Sequence, residues 1–173
     1  MTTVERIRAK RLPSRVVGRR APNLVGAIEG TIVATAVVAG LSESNSSLAR
    51  ACWILVATGV FFWVAHVYAD LLAARIKGQH RMKRDDVTHV MSREWPLLQS
   101  SFLLALPLAI GTLGVLSRDT ALSLATLVGV GALVGWGILF ARREGHGVAG
   151  IVGAATMNAA VGLLIIGFKV AVR

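Results

Sequence analysis

Ionisable side chains interrupt two apolar stretches of this sequence, where charge is unfavourable and therefore informative. Glu29 lies within the apolar run 24–41, and His66 and Asp70 lie near the end of the run 52–72. A charged residue at the centre of a membrane-spanning helix costs about 2.5–3.5 kcal/mol on insertion scales, so such residues usually face protein or water and mark ion or proton pathways. Glu29 is therefore the first candidate for an ion pathway. The alternative is a glutamate that only holds helices together.

A carboxylate and an imidazole are expected at one depth in this protein. Counted at 1.5 Å per residue, Glu29 lies roughly 8 Å and His66 roughly 9 Å from the same side of the apolar layer. Such a pair on neighbouring helices can relay a proton or bind a divalent metal ion. Asp70 follows His66 by four residues and shares its helical face. The alternative for these residues is a hydrogen bond between helices, with Asp70 at the membrane interface.

Three further polar residues are weaker candidates. Asp85 and His89 are four residues apart, a spacing that suits two metal ligands on a helix. The arginines and lysines around them favour contact with anionic lipid headgroups instead. Asn158 lies in the middle of the last apolar run and is a candidate for the ion pathway. Amides among small residues more often bond across helices, which is the alternative for Asn158.

The elements that must position these residues follow from the hydrophobic pattern. Of the 173 residues, 54% are hydrophobic and 16% are charged, whereas about 25% charge is usual in soluble domains. Five apolar runs approach the roughly 20 residues that a helix needs to cross a bilayer. The prediction is an all-α membrane protein with a bundle of five transmembrane helices. The predicted organisation is a basic cytoplasmic tail at 1–23, a transmembrane domain at 24–173 with spans at 24–41, 52–72, 95–116, 120–141 and 148–170, and a cytoplasmic segment at 73–94.

Basic residues predict the orientation of this bundle. Fifteen of the 19 Lys and Arg residues fall in the N-terminal tail and in the second-to-third and fourth-to-fifth connections. The positive-inside rule places these segments in the cytoplasm, with the N-terminus inside and the C-terminus outside. The formal net charge of +10 does not indicate nucleic-acid binding, because the basic residues lie between apolar spans. The predicted location is the cell (plasma) membrane.

Several classes of protein are disfavoured by what the sequence lacks. It contains no Gly-rich phosphate loop, no G-x-S-x-G elbow and no H-E-x-x-H pair, so an enzyme is not expected. The single cysteine, Cys52, excludes an internal disulfide. The first 22 residues are basic but have no apolar core, unlike a signal peptide. No cofactor is predicted, although a divalent metal is a possible substrate.

Small residues in the first helix predict a contact with a second helix. Gly26, Gly30 and Gly40 share a largely small-residue stripe with Glu29, and small residues allow close packing of helices in lipid. We predict a homodimer packed through this helix, with Glu29 near the two-fold axis. The alternative is that Gly26 and Gly30 pack only against another helix of the same chain.

The sequence also resembles the vacuolar iron transporter (CCC1-like) family. The stretch GAIEGTIVATAVVAG at 26–40 is similar to the first helix of that family, which typically reads G-x-x-D-G followed by small and apolar residues. Five helices, an internal N-terminus and a cytoplasmic insertion between helices two and three are also similar. Residues 65–69, AHVYA, look like a motif of small, uncharacterised actinobacterial membrane proteins.

The resemblance implies a homodimer that exchanges Fe²⁺ or Mn²⁺ for protons, with Glu29 in the place of the family's first-helix aspartate. The second helix departs from the family, because S-M-A-x-G-E-Y is replaced by FWVAHVY at 62–68. His66 is then a new possible metal ligand. The predicted function is a small membrane transporter for divalent metal ions. The alternative is a membrane scaffold or accessory subunit that transports nothing.

Overall fold

The computed structural model describes residues 24–76 and 84–171, and these ranges contain five α-helices and no β-strand. The predicted tail at 1–23 lies outside the described residues, as do 77–83 of the predicted cytoplasmic segment. The prediction of an all-helical chain with five long helices is confirmed. In chain order the helices are α1 (Leu24–Ser42), α2 (Leu48–Ile76), α3 (Arg84–Thr112), α4 (Arg118–Arg143) and α5 (Val148–Ala171).

All five helices are long and apolar enough to cross a membrane, as expected of a multi-pass membrane protein. A helix bonds its backbone N–H and C=O groups internally, which hydrocarbon requires because it offers no partner. Helices α2 and α3 have 29 residues each. At 1.5 Å per residue each is roughly 43 Å long, which exceeds the roughly 30 Å of hydrocarbon. Relative to the predicted spans, most of the additional helical residues lie where α2 ends and α3 begins.

Both ends of α3 differ from the predicted span. The helix begins at Arg84 rather than at residue 95, because the polar residues before the span continue the helix. It ends at Thr112 rather than at residue 116. Gly114 has a φ of 79°, a left-handed conformation that only glycine adopts without strain and that commonly follows a helix.

Helix α1 lies at the centre of the bundle. It packs against each of the other four helices. The other helices pack in chain order, α2 on α3, α3 on α4 and α4 on α5, so they form an arc around α1. In the spanning part of α1, 56% of residues are buried, against 6% in α5. The most buried apolar helix is therefore the one that carries Glu29.

Close packing around α1 depends on glycine and hydroxyl residues. A Cβ atom on Gly30 would overlap the backbone oxygen of Leu97 in α3. The hydroxyl of Thr31 lies 3.0 Å from that of Ser100 in α3, and both hydroxyls donate to the backbone oxygen of Ala27. Gly30 therefore packs within the chain, which is the alternative that we considered for it. The homodimer stays a prediction, but Gly30 does not face outward to form it.

One face of α1 remains uncovered because the arc is open between α2 and α5. No extensive packing joins these two helices in the part of the chain that the structure describes. Val25, Glu29, Ala36 and Gly40 are exposed there, and the helical period places all four on one face. We call these four residues the α1 stripe and the opening in front of them the lateral cleft.

Candidate functional site

The side chains of Glu29 and His66 meet across α1 and α2. Nε2 of His66 lies 3.1 Å from Oε2 of Glu29. Nδ1 of the same ring lies 3.0 Å from the backbone oxygen of Phe62, one turn earlier in α2. The Phe62 ring stacks on the imidazole with 6.2 Å between ring centroids. The structure thus brings together the carboxylate and the imidazole that were expected at one depth.

These contacts restrict where protons can lie in the pair. A backbone oxygen only accepts hydrogen bonds, so Nδ1 of His66 must donate to Phe62. Nε2 then either accepts from a protonated Glu29 or, in the imidazolium form, donates to the Glu29 carboxylate. In both cases the pair holds one proton between Nε2 and Oε2. The arrangement suits a group that takes up and releases a single proton.

Neither member of the pair is enclosed by the chain. The side chain of Glu29 is 50% exposed and that of His66 is 36% exposed. Glu29 belongs to the α1 stripe, so the exposed side of the pair faces the lateral cleft. A ligand in the cleft could therefore reach both side chains without unfolding a helix.

Arg93 links Asp70 of α2 to Glu94 of α3. Its Nη2 forms an ion pair with the Asp70 carboxylate, and its Nε lies 3.0 Å from Oε1 of Glu94. Glu94 is buried, with 3% of its surface exposed. Among the described residues, no hydrogen bond joins Asp70 to His66 or to Glu29. Asp70 therefore lies in an ion network between α2 and α3, next to the pair and not within it.

Tryptophans hold α2 against α3 at the same level. Nε1 of Trp63 donates to the backbone oxygen of Met91 at 3.3 Å. The rings of Trp63 and Trp95 pack edge to face, with 6.2 Å between centroids, a favoured geometry for aromatic pairs. These contacts fix the α2 backbone one turn from His66. They also place Trp95 beside the ion network of Arg93.

The other predicted site residues are not brought to this pair. Asp85 and His89 are exposed on the first turns of α3, and no bond between their side chains occurs in the ranges that the structure describes. Asn158 donates to the backbone oxygen of Ala154 in its own helix at 2.9 Å. Its side chain packs against Gly137 of α4. The sequence suggested a hydrogen bond from Asn158 to another helix. Among the described residues, the bond that Asn158 makes lies within α5.

Two ligating side chains are available for a metal ion at the pair, the carboxylate of Glu29 and Nε2 of His66. Within 24–76 and 84–171, no group of three or more His, Cys, Asp or Glu side chains comes together to hold a metal ion. Divalent transition metals usually take at least four ligands. The described part of one chain thus supplies only part of a coordination shell, and water or other groups would have to complete it.

Sequence reasoning missed Arg93 and Glu94 as members of this region. Both fall in the predicted cytoplasmic segment 73–94, whereas the structure buries Glu94 and pairs Arg93 with Asp70. The available signal was their position directly before Trp95, at the edge of the third apolar run. That position gives the depth of the two residues but does not identify the helix that they face.

Comparison of the chain with protein-family models, curated proteins and solved structures finds no match. No finding therefore links the chain to the vacuolar iron transporters. The resemblance rests on the residues 26–40 and on the predicted arrangement of helices.

Proposed function

We propose that this protein is a small membrane transporter that exchanges a cation for a proton at Glu29 and His66. The observation that carries the proposal is the hydrogen bond between a carboxylate and an imidazole inside apolar helices, open to the lateral cleft. Ionisable residues are rare in such helices and usually serve ion or proton movement. The imidazole is also the side chain that changes charge most readily near neutral pH.

The exchange follows from the atoms that the proton and the cation would share. The proton lies between Nε2 of His66 and Oε2 of Glu29, and a bound cation would occupy the same position. A divalent ion there replaces the proton, so one proton is released for each ion bound. Fe²⁺ and Mn²⁺ are the cargo that the sequence resemblance favours, and both accept nitrogen and oxygen ligands.

The proposed topology places Glu29 in the cytoplasmic half of the plasma membrane, with the N-terminus inside. The distribution of Lys and Arg between the connections supports this orientation. Single cysteines at Ser46 and at Lys77, in a chain whose Cys52 is replaced, would report it in intact cells. An impermeant thiol reagent should label position 46 and spare position 77. The reverse labelling would invert the topology.

A homodimer through α1 remains part of the proposal, but its contact surface no longer includes Gly30, which packs on α3. Ala36 and Gly40 of the α1 stripe are exposed, and a Cβ atom on Gly40 would meet nothing within 4 Å. Small exposed residues allow a second copy to approach closely. Cysteine at Gly40 should crosslink two copies in native membranes, whereas cysteine at the buried Ala27 should not. Equal crosslinking at both positions, or none at Gly40, contradicts this surface.

The decisive experiment is transport by purified protein in proteoliposomes. We expect uptake of Fe²⁺ or Mn²⁺ with proton movement in the opposite direction. Glu29→Gln should lower this flux by at least about tenfold, in line with the usual contribution of a positioned proton-transfer group. Glu43→Gln is the matched control, since Glu43 is an exposed acid just beyond the other end of α1.

The outcomes of this experiment test separately the role of the Glu29–His66 pair and the assignment of the protein as a transporter. Flux that is unchanged in Glu29→Gln removes the role of the pair. Absence of any cation flux removes the transporter, and stoichiometric co-purification of another membrane protein would then favour the scaffold.

A further inference from the structure

The lateral cleft opens to the side of the bundle, where the described residues of α2 and α5 do not pack extensively on each other. It lies between α2 and α5, and α1 forms its floor. Val25, one turn before Glu29, is 60% exposed there. Phe62, one turn before His66, is 40% exposed. If the five helices span a bilayer, a molecule dissolved in the hydrocarbon reaches Glu29 through this opening without crossing the protein.

We propose that the lateral cleft binds a lipophilic organic cation that enters from the bilayer. This inference rests on the proposed function, because it names a second class of cation, besides divalent metal ions, that exchanges for the proton at Glu29. The cation replaces the proton shared by Glu29 and His66, and the freed carboxylate of Glu29 is then its counter-ion. The ring of Phe62 is an aromatic contact, and Val25 contributes apolar surface.

The chemistry of the cleft fits this class of ligand in three ways. A cation whose charge is spread over aromatic groups needs no coordination shell, and the described residues of one chain offer only two ligating side chains at this place. Its apolar groups match exposed side chains such as Val25. Its charge is attracted to the face of an aromatic ring, a contact worth about 0.5–2 kcal/mol, and Phe62 stacks directly beside His66.

Charge complementarity favours such a cation over the other possible occupants of the cleft. A lipid acyl chain would leave the half-exposed carboxylate of Glu29 against hydrocarbon, which is unfavourable. A second copy packed through Ala36 and Gly40 would cover the other end of the α1 stripe, about two to three turns from Glu29 at 3.6 residues per turn.

The test is binding of tetraphenylphosphonium to the full-length protein in nanodiscs of zwitterionic lipid, measured by calorimetry against empty nanodiscs. Tetraphenylborate, which has the same shape and the opposite charge, is the matched ligand control. We expect the cation to bind at least tenfold more tightly than the anion. Glu29→Gln should weaken cation binding at least tenfold, and Glu43→Gln should leave it unchanged.

A second variant keeps the test valid if Glu29→Gln fails to fold. Phe62→Leu retains an apolar side chain and removes the aromatic face, so cation binding should weaken by about 2–30-fold, the range expected for loss of a cation–π contact. Gel filtration reports folding of each variant.

Equal binding of cation and anion overturns the proposal, as does full binding by Glu29→Gln. Exclusion of the probe by a second copy that covers Glu29 overturns it too. Metal flux that depends on Glu29, without binding of the probe, would leave the proposed function standing and remove only this inference.

Discussion

The two ends of the helix bundle each contain an arginine that joins helices, but the partners of the two arginines differ. At the end where α2 stops and α3 starts, Arg93 contacts the carboxylates of Asp70 and Glu94. At the opposite end, Arg118 donates to backbone oxygens of α1 and the loop after it. It donates hydrogen bonds to Leu41 at 3.1 Å, Ser46 at 3.1 Å and Ser44. Its ion-pair partner is the exposed carboxylate of Asp119, 3.7 Å from Nη1.

The two ends differ in the groups around the arginine, which are mainly backbone oxygens at Arg118 and ionisable side chains at Arg93. The last carbonyl groups of a helix have no partner within the helix and carry partial negative charge. Arg118 satisfies one of them, at Leu41, and these oxygens cannot be protonated at ordinary pH. Arg93 instead contacts two ionisable side chains, Asp70 and Glu94, and the pair of Glu29 and His66 lies towards the same end of the bundle. We therefore expect loss of the Arg118 side chain to affect stability, and loss of the Glu29 or His66 side chain to affect ion handling.

The largest effect is expected for Gly30→Leu, and a substitution at Gly40, towards the other end of α1, serves as its control. Gly30→Leu should prevent folding or cost more than about 3 kcal/mol, because the new side chain overlaps the Leu97 backbone of α3, which cannot rotate away. Gly40→Leu is the matched control and should fold normally, since nothing lies within 4 Å of its Cβ position. Thermal unfolding followed by gel filtration in mild detergent measures both. Similar losses for the two variants would show that α1 does not pack on α3 in this way.

An intermediate effect is expected for substitution of Arg118. Arg118→Gln should destabilise the protein by about 1–3 kcal/mol, since it removes charged hydrogen bonds to backbone oxygens. Arg50→Gln, at the same end of the bundle, is the control, because the Arg50 side chain is exposed. Chemical unfolding in detergent measures the difference. A smaller loss for Arg118→Gln than for Arg50→Gln would contradict the described role of Arg118.

The smallest effect is expected for the ion network beside the candidate site. Asp70→Asn should change stability by about 0–1 kcal/mol, as is usual for partly exposed ion pairs. Arg93→Gln should cost more, because it also removes a partner of the buried Glu94. A double-mutant cycle measured by unfolding gives the coupling between Asp70 and Arg93. Coupling well above 1 kcal/mol would contradict the small contribution expected of this ion pair.

The helices and the relative depth of Glu29 and His66 could be predicted from the sequence. Five apolar runs separated by polar connections led to the five helices that the structure shows, because backbone groups in an apolar layer must bond within a helix. Counting residues from the ends of two runs placed Glu29 and His66 at one depth. The hydrogen bond between them agrees with that count. Depth could be predicted because the rise per residue in a helix is constant.

The direction that each helix faces was decided only by the tertiary structure. The sequence placed Gly30 on the small stripe of α1, but only the packed bundle shows that Gly30 meets α3 and that Glu29 remains exposed. The pairing of Arg93 with Asp70 and the contacts of Arg118 with the end of α1 likewise join distant parts of the chain. Helices that are apolar on all sides have no pattern that distinguishes one neighbour from another. The choice of neighbour depends on how side chains of several helices fit together, and the spacing of residues along one helix does not contain that information.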